Sequence, residues 1–200
     1  MKIANITGYK FTPIDDELYL KETILRRSID LNLKGTVLIS SKGLNFSVSG
    51  TKNNIDKFIV FIHSDSRFAD VDVKITYNEY QPFRKMLVRI KKEIISMGIE
   101  EINPNLFTGQ KISPKELNDK LDNNEEIVLL DTRNEYEVRL GTFKNALDLN
   151  LDSFRDFPEE IEKLREDLNG REIVMFCTGG IRCEKASALM LENGFQNIKQ

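Results

Sequence analysis

The run Glu172-Ile-Val-Met-Phe-Cys-Thr-Gly-Gly-Ile-Arg182 decides the fold of the rear half of this chain. Its first five residues are mostly apolar and β-prone, which predicts a strand covered on both faces, as in a parallel sheet. Thr178-Gly179-Gly180 then lets the backbone curl tightly, because glycine accepts dihedrals that other residues avoid. The spacing predicts a helix over 183–192, with Gly194 as its C-terminal stop. In an open parallel sheet, ligands bind outside the carboxyl ends of the strands. Cys177 occupies that position.

The same pattern repeats upstream. Glu126-Ile-Val-Leu-Leu-Asp131 reads as a second buried parallel strand ending in a polar residue. Residues 158–168 read as one helix with Ile161, Leu164 and Leu168 facing inward. Ser113-Pro114-Lys115-Glu116 combines an N-cap serine, proline at the first helical position and a glutamate three residues after the cap, so a helix is expected to about Leu121. Asn197-Ile-Lys reads as the next strand. Strands alternating with helices imply a parallel α/β sheet.

The front half carries a different order. Residues 3–11 read as a strand. Asp15-Asp16-Glu17 suits a helix N-terminus, and Leu18, Leu25 and Ile29 recur at helical spacing to about Asn32. Residues 36–40 and 44–48 read as a hairpin around Ser41-Lys42-Gly43. A second helix follows Gly50-Thr51 with Ile55, Phe58, Ile59 and Ile62 on one face, and residues 71–77 read as a closing strand. The order β-α-β-β-α-β is the ferredoxin-like pattern. The expected division is 1–97 for this acylphosphatase-like domain, 98–112 for a linker with turn residues Asn103-Pro104-Asn105 and Gly109, and 113–200 for the α/β domain.

Residues 83–92, Phe-Arg-Lys-Met-Leu-Val-Arg-Ile-Lys-Lys, form a further strand pattern. Met86, Val88 and Ile90 point one way, and Lys85, Leu87, Arg89 and Lys91 the other. Such a basic face either protects a solvated edge or, together with Arg84, meets phosphates. The front 100 residues hold 16 Lys+Arg against 12 Asp+Glu, and the remainder 13 against 20, within a net charge of −3. A mildly basic front half permits an anionic partner.

Composition narrows the function classes. With 40% hydrophobic and 30% charged residues, the chain reads as an ordinary soluble globular protein. Its longest apolar runs are too short for a membrane span, and Met1-Lys-Ile-Ala-Asn-Ile lacks a signal-peptide pattern, so a cytoplasmic location is expected. Two cysteines, Cys177 and Cys183, and one histidine, His63, do not make a disulfide scaffold or a set of metal ligands. No metal site and no resident cofactor is expected.

The chemistry centres on Cys177. A glycine loop leading into a helix can aim successive N–H groups inward and build an anion nest. Arg182 adds a fixed positive charge at its rim. Both effects lower a cysteine pKa from about 8.5 and favour the nucleophilic thiolate. Cys183 either resolves a disulfide with Cys177 or points into helix packing. Asp131 and Arg133, at the end of the neighbouring strand, either brace the loop or face substrate.

On these residues the segment from about Asn103 to Gln200 resembles a rhodanese domain. Cys177-x-x-Gly180-x-Arg182 matches the active-site loop of that family, in which the cysteine carries a persulfide sulfur. Asp131-Thr-Arg133, Tyr136-Glu137 and Gly141-Thr-Phe-Lys-Asn-Ala146 match its upstream stretch, with Thr142-Phe143 in place of His-Ile and Asn145 in place of glycine. The longer run from Cys177 to Ser187, Gly141-Thr-Phe143, residues 83–93 and the ferredoxin-like front together resemble the bacterial rhodanese-like tRNA uridine hydroxylases. The resemblance implies oxygen-dependent formation of 5-hydroxyuridine at the wobble position, with tRNA as partner and molecular oxygen as co-substrate. It implies that Cys177 is the reactive residue, cradled by the backbone N–H groups of Thr178, Gly179, Gly180, Ile181 and Arg182. It also implies a further helix after residues 197–199, so the rhodanese-like domain is expected to be truncated at its C-terminus. Two rival readings are a thiosulfate-type sulfurtransferase with a cysteine persulfide intermediate, and a non-catalytic interaction module. The first leaves the front domain without a purpose, and the second leaves the loop without one.

Overall fold

A computed structural model describes residues 2–200, which divide into two compact units meeting in sequence at Ile94 and Ile95. Each unit has its own sheet and its own apolar core.

The front unit runs β1 (Ile3–Phe11), α1 (Glu17–Asp30), β2 (Lys34–Ser40), β3 (Gly43–Gly50), α2 (Lys52–His63), β4 (Lys74–Asn78) and β5 (Met86–Ile90). The first six elements are the expected ferredoxin-like order. The strands lie in the order β4-β1-β3-β2-β5, antiparallel except for β2 and β5. Ser40 pairs with Gly43, so the hairpin turns on Ser41 and Lys42. One sheet face packs on both helices through Ile6, Val37, Ile39, Phe46 and Val48 against Ile24, Ile55 and Phe58. Thr51 caps α2 by accepting from the Asn54 N–H. His63 lies 3.1 Å through Nε2 from the Val71 carbonyl.

Two expectations shift here. Helix α1 buries Leu20, Ile24 and Ser28, whereas Leu18 and Ile29 are 71% and 60% exposed. The helix carries two apolar stripes, and the one that wins also places the Ser28 hydroxyl 2.7 Å from the Ile24 carbonyl, where it is satisfied. The closing strand begins at Lys74 rather than Val71, because Val71 is buried behind a short turn at Ser66–Phe68. On β5, Val88 is buried, while Arg84, Lys85, Arg89 and Lys91 are exposed.

The rear unit comprises α3 (Pro114–Asp122), β6 (Ile127–Asp131), α4 (Glu135–Val138), β7 (Leu147–Asp148), α5 (Phe157–Lys163), α6 (Arg165–Leu168), β8 (Glu172–Phe176), α7 (Ile181–Glu192) and β9 (Ile198–Lys199). Its four strands are all parallel, in the order β7-β6-β8-β9. Val128, Leu130, Ile173 and Met175 form its central layer, and Ile161, Leu168, Ala186 and Met190 cover it. Met97 and Ile102 are 1% and 4% exposed and belong to the same core. Ser113 accepts from the Glu116 N–H and caps α3. The single helix expected over 158–168 is broken at Leu164, whose N–H bonds back to the Ile161 carbonyl three residues earlier; this tighter turn resets the helix phase. Helix α7 begins at Ile181, two residues earlier than expected, because Gly180 takes a left-handed conformation with φ +94° and acts as its N-cap. No helix among the described residues is long and apolar enough to cross a membrane.

Candidate active site

Strands β6 and β8 end side by side, with Asp131 paired to Phe176. Beyond that pair Thr132 anchors the two exits to each other. Its N–H and its hydroxyl both donate to the Phe176 carbonyl at 3.1 Å. The chain leaving β8 therefore starts from a fixed point, and its next residue is Cys177.

The loop is short because α7 starts early. Cys177 to Gly180 is all that separates strand from helix, and the Gly180 N–H turns back to the Cys177 Sγ at 3.0 Å. Ile181 and Arg182 lie in the first helical turn rather than in the loop. Cys183, one turn into the helix, is 2% exposed, with its sulfur 3.6 Å from the Thr132 hydroxyl. Its thiol also faces Cys177. Donation from that thiol, opposed by burial and reinforced by the backbone N–H groups of Cys183, Gly179 and Gly180, lowers the Cys177 pKa to about 5. The neighbouring thiolate and burial push Cys183 well above the usual thiol range. One sulfur is thus ionised at neutral pH, and the other holds its proton beside it.

Arg182 points at Glu137, on the short helix α4. Its guanidinium forms a fork on Glu137, with Nη1 2.5 Å from Oε2 and Nη2 2.7 Å from Oε1. The Thr178 hydroxyl donates to the same carboxylate at 2.6 Å, and the Asn134 N–H at 3.2 Å. The hydrogen bonds from Arg182 lead those that bring Glu137 down to about 2, against burial. Burial opposes the charge on Arg182, but Glu137 and the Cys177 thiolate together keep its pKa raised. The sequence signals for this clamp are the spacing Asn134-x-x-Glu137, a capping box at the start of α4, and the place of Glu137 in the upstream stretch that resembles the rhodanese pattern.

Asp131 and Arg133 do something else. Asp131 is fully buried and accepts from the Arg133 N–H at 3.0 Å, from Arg133 Nε at 2.9 Å and Nη2 at 2.6 Å, and from the Thr142 hydroxyl at 2.8 Å. Burial raises its pKa, but these hydrogen bonds outweigh that and hold it below the ordinary carboxylate value. Arg133 also donates to the Gly141 carbonyl at 2.8 Å, and its guanidinium carbon lies 5.6 Å from the centre of the Phe176 ring. Asp131 and Arg133 therefore pin the turn at 141–142 beside the site.

Arg84, Lys85, Arg89 and Lys91 belong to the front unit and lie exposed on and around β5. No group of three or more His, Cys, Asp or Glu among the described residues is placed to hold a metal ion.

Residues 3–94 match the UPF0176 acylphosphatase-like domain family, and residues 113–199 match the rhodanese-like domain family. Fold and site thus define a two-domain protein in which an acylphosphatase-like unit precedes a rhodanese-like one. Over 192 residues, 96% of this chain and 75% of the relative, it is 42% identical to the tRNA uridine(34) hydroxylase of Legionella pneumophila strain Paris. It is 41% identical over the same lengths to the proteins of that name from strains Corby and Lens. The chain belongs to the tRNA uridine(34) hydroxylase family.

Proposed function

We propose that this protein is an oxidoreductase that hydroxylates uridine 34 of tRNA to 5-hydroxyuridine, with molecular oxygen as co-substrate, and that turnover depends on Cys177. The observation that carries this reading is a relative of that name matching 96% of the chain, together with a thiolate built at the mouth of its parallel sheet. Gly179, Gly180 and Cys183 hold the sulfur ionised. Thr178 and Arg182 are held in place by Glu137. The wobble base lies in a single-stranded loop, where it can be splayed out to reach a recessed sulfur. Arg84, Lys85, Arg89 and Lys91 are the side chains we assign to tRNA phosphates, and the cytoplasm is the working location.

Nucleoside mass spectrometry of tRNA tests the assignment. Cells lacking the gene, grown in air, should lose 5-hydroxyuridine; the wild-type gene should restore it and Cys177→Ala should not. Unchanged tRNA in the deletion strain would sink the reading. A second measurement tests the basic strand. Replacing Lys85, Arg89 and Lys91 together should weaken tRNA binding and flatten its logarithmic salt dependence by roughly two to three units of slope. An unaltered slope returns that strand to a solvated edge.

The rhodanese-like match and the anion nest around Cys177 also favour a second reading, a sulfurtransferase, since the same N–H groups suit the terminal sulfur of a persulfide. Steady turnover of thiosulfate with a small acceptor, with tRNA nucleosides unchanged, would select it.

A further inference from the structure

Six large apolar side chains of the rear unit are exposed among the described residues, and three of them fall within eight positions. Tyr136 is 66% exposed, Leu140 88% and Phe143 47%. Isolated exposed apolar groups are ordinary, but a cluster marks a contact surface. This cluster is tied from behind to the reactive loop. Phe143 meets Phe176, the residue before Cys177, edge-on with ring centres 4.9 Å apart. The turn that carries Phe143 is fixed through Thr142 to Asp131 and through Gly141 to Arg133. Tyr136 adjoins Glu137, whose carboxylate holds Thr178 and Arg182. Lys144 is exposed along the same segment, and so is Arg139, which is ion-paired with Glu135 one turn earlier.

We infer that Phe143, with Tyr136, is a stacking platform for the unpaired bases that adjoin uridine 34 in the anticodon loop. The inference rests on the hydroxylase reading and adds to it the residues that select unpaired RNA. Unstacked bases are received on aromatic faces whatever their identity, since every base has a π-face. A ring already packed against Phe176 loses less freedom on binding. The exposed Lys144 beside Phe143 suits a phosphate between those bases. A small sulfur acceptor would need none of these features.

The test uses the full chain and a fluorescently labelled anticodon stem-loop. Phe143→Leu and Tyr136→Leu keep apolar bulk and remove the ring. Each should weaken stem-loop binding about tenfold, the effect of losing one stacked base, and should raise KM for the stem-loop more than it lowers kcat. Phe143→Tyr and Tyr136→Phe keep a ring and should rescue affinity. Alkylation of Cys177 without RNA reads the thiolate cradle separately and should follow the wild-type rate in the leucine variants. Unchanged stem-loop affinity in both leucine variants overturns the inference and leaves the cluster as an apolar face for a protein partner. Equal competition by a hairpin with no unpaired bases overturns it as well, and so does a Phe143→Leu protein whose Cys177 alkylation collapses, because the ring would then be a packing support. Should affinity shift as expected while 5-hydroxyuridine never forms, the platform stands and the hydroxylase reading falls.

Discussion

At the scale of residues, the two cysteines divide one proton between them unequally. Alkylation by iodoacetamide, followed against pH, should show Cys177 reacting with a midpoint near 5, the value to which its donors lower it. Cys183→Ala removes the largest of those donors, so the midpoint should rise, while the N–H groups of Gly179 and Gly180 keep it below that of a free cysteine. An unmoved midpoint would mean that backbone dipoles alone set the charge. Cys177 was legible in the sequence because a strand end, two glycines and an arginine can be read from local spacing. The orientation of Cys183 was not, since either side of a helix's first turn suits a cysteine; the structure buries it against Cys177 and Thr132.

At the scale of elements, the site depends on α4 standing against α7, and Glu137 is the tie between them. Glu137→Gln should take from the Arg182 guanidinium, only 12% exposed, its one carboxylate partner and leave it the Cys177 thiolate as its counter-charge. The loss should be about 3 kcal/mol, from the fall of the Glu137 carboxyl from its usual 4.5 to about 2. Because the folded-state pKa is the lower one, this stabilisation is fully present above pH 4.5 and is lost as pH falls through about 2. Denaturant midpoints measured across that window should fall with acid in the wild type and less so in the variant; parallel curves would argue against the tie. The sequence could not reveal it, because the partners lie more than forty positions apart and only the sheet brings them together. Elements set by continuous apolar runs were legible, as β6 and β8 show. Where two patterns competed, tertiary packing chose: α1 turned its 20-24-28 stripe inward, and the helix expected over 158–168 broke at Leu164.

At the scale of the whole molecule, two separate cores divide the chain, and the second begins before its first helix. Met97 and Ile102 are buried with Phe154, Phe157 and Ile161, although Met97 lies just before, and Ile102 within, the residues 98–112 that read as a linker. A rear fragment beginning at Ile95 should fold and keep the Cys177 pKa. One beginning at Ser113 should lose both side chains, at about 2–5 kcal/mol each by comparison with large-to-small core changes. It would also lose the Gly109 N–H bond to Ser187 on α7. Circular dichroism and thermal unfolding of the two fragments check this, and equal stability would show that the early segment is dispensable. The anionic sulfur of Cys177 has a practical consequence too. The protein has only two cysteines, and its second is 2% exposed and holds its proton. A maleimide dye added near pH 6 should therefore attach once, at the mouth of the sheet. The chain thus offers, without any substitution, a single attachment point for an optical reporter, placed where arriving RNA would change its brightness.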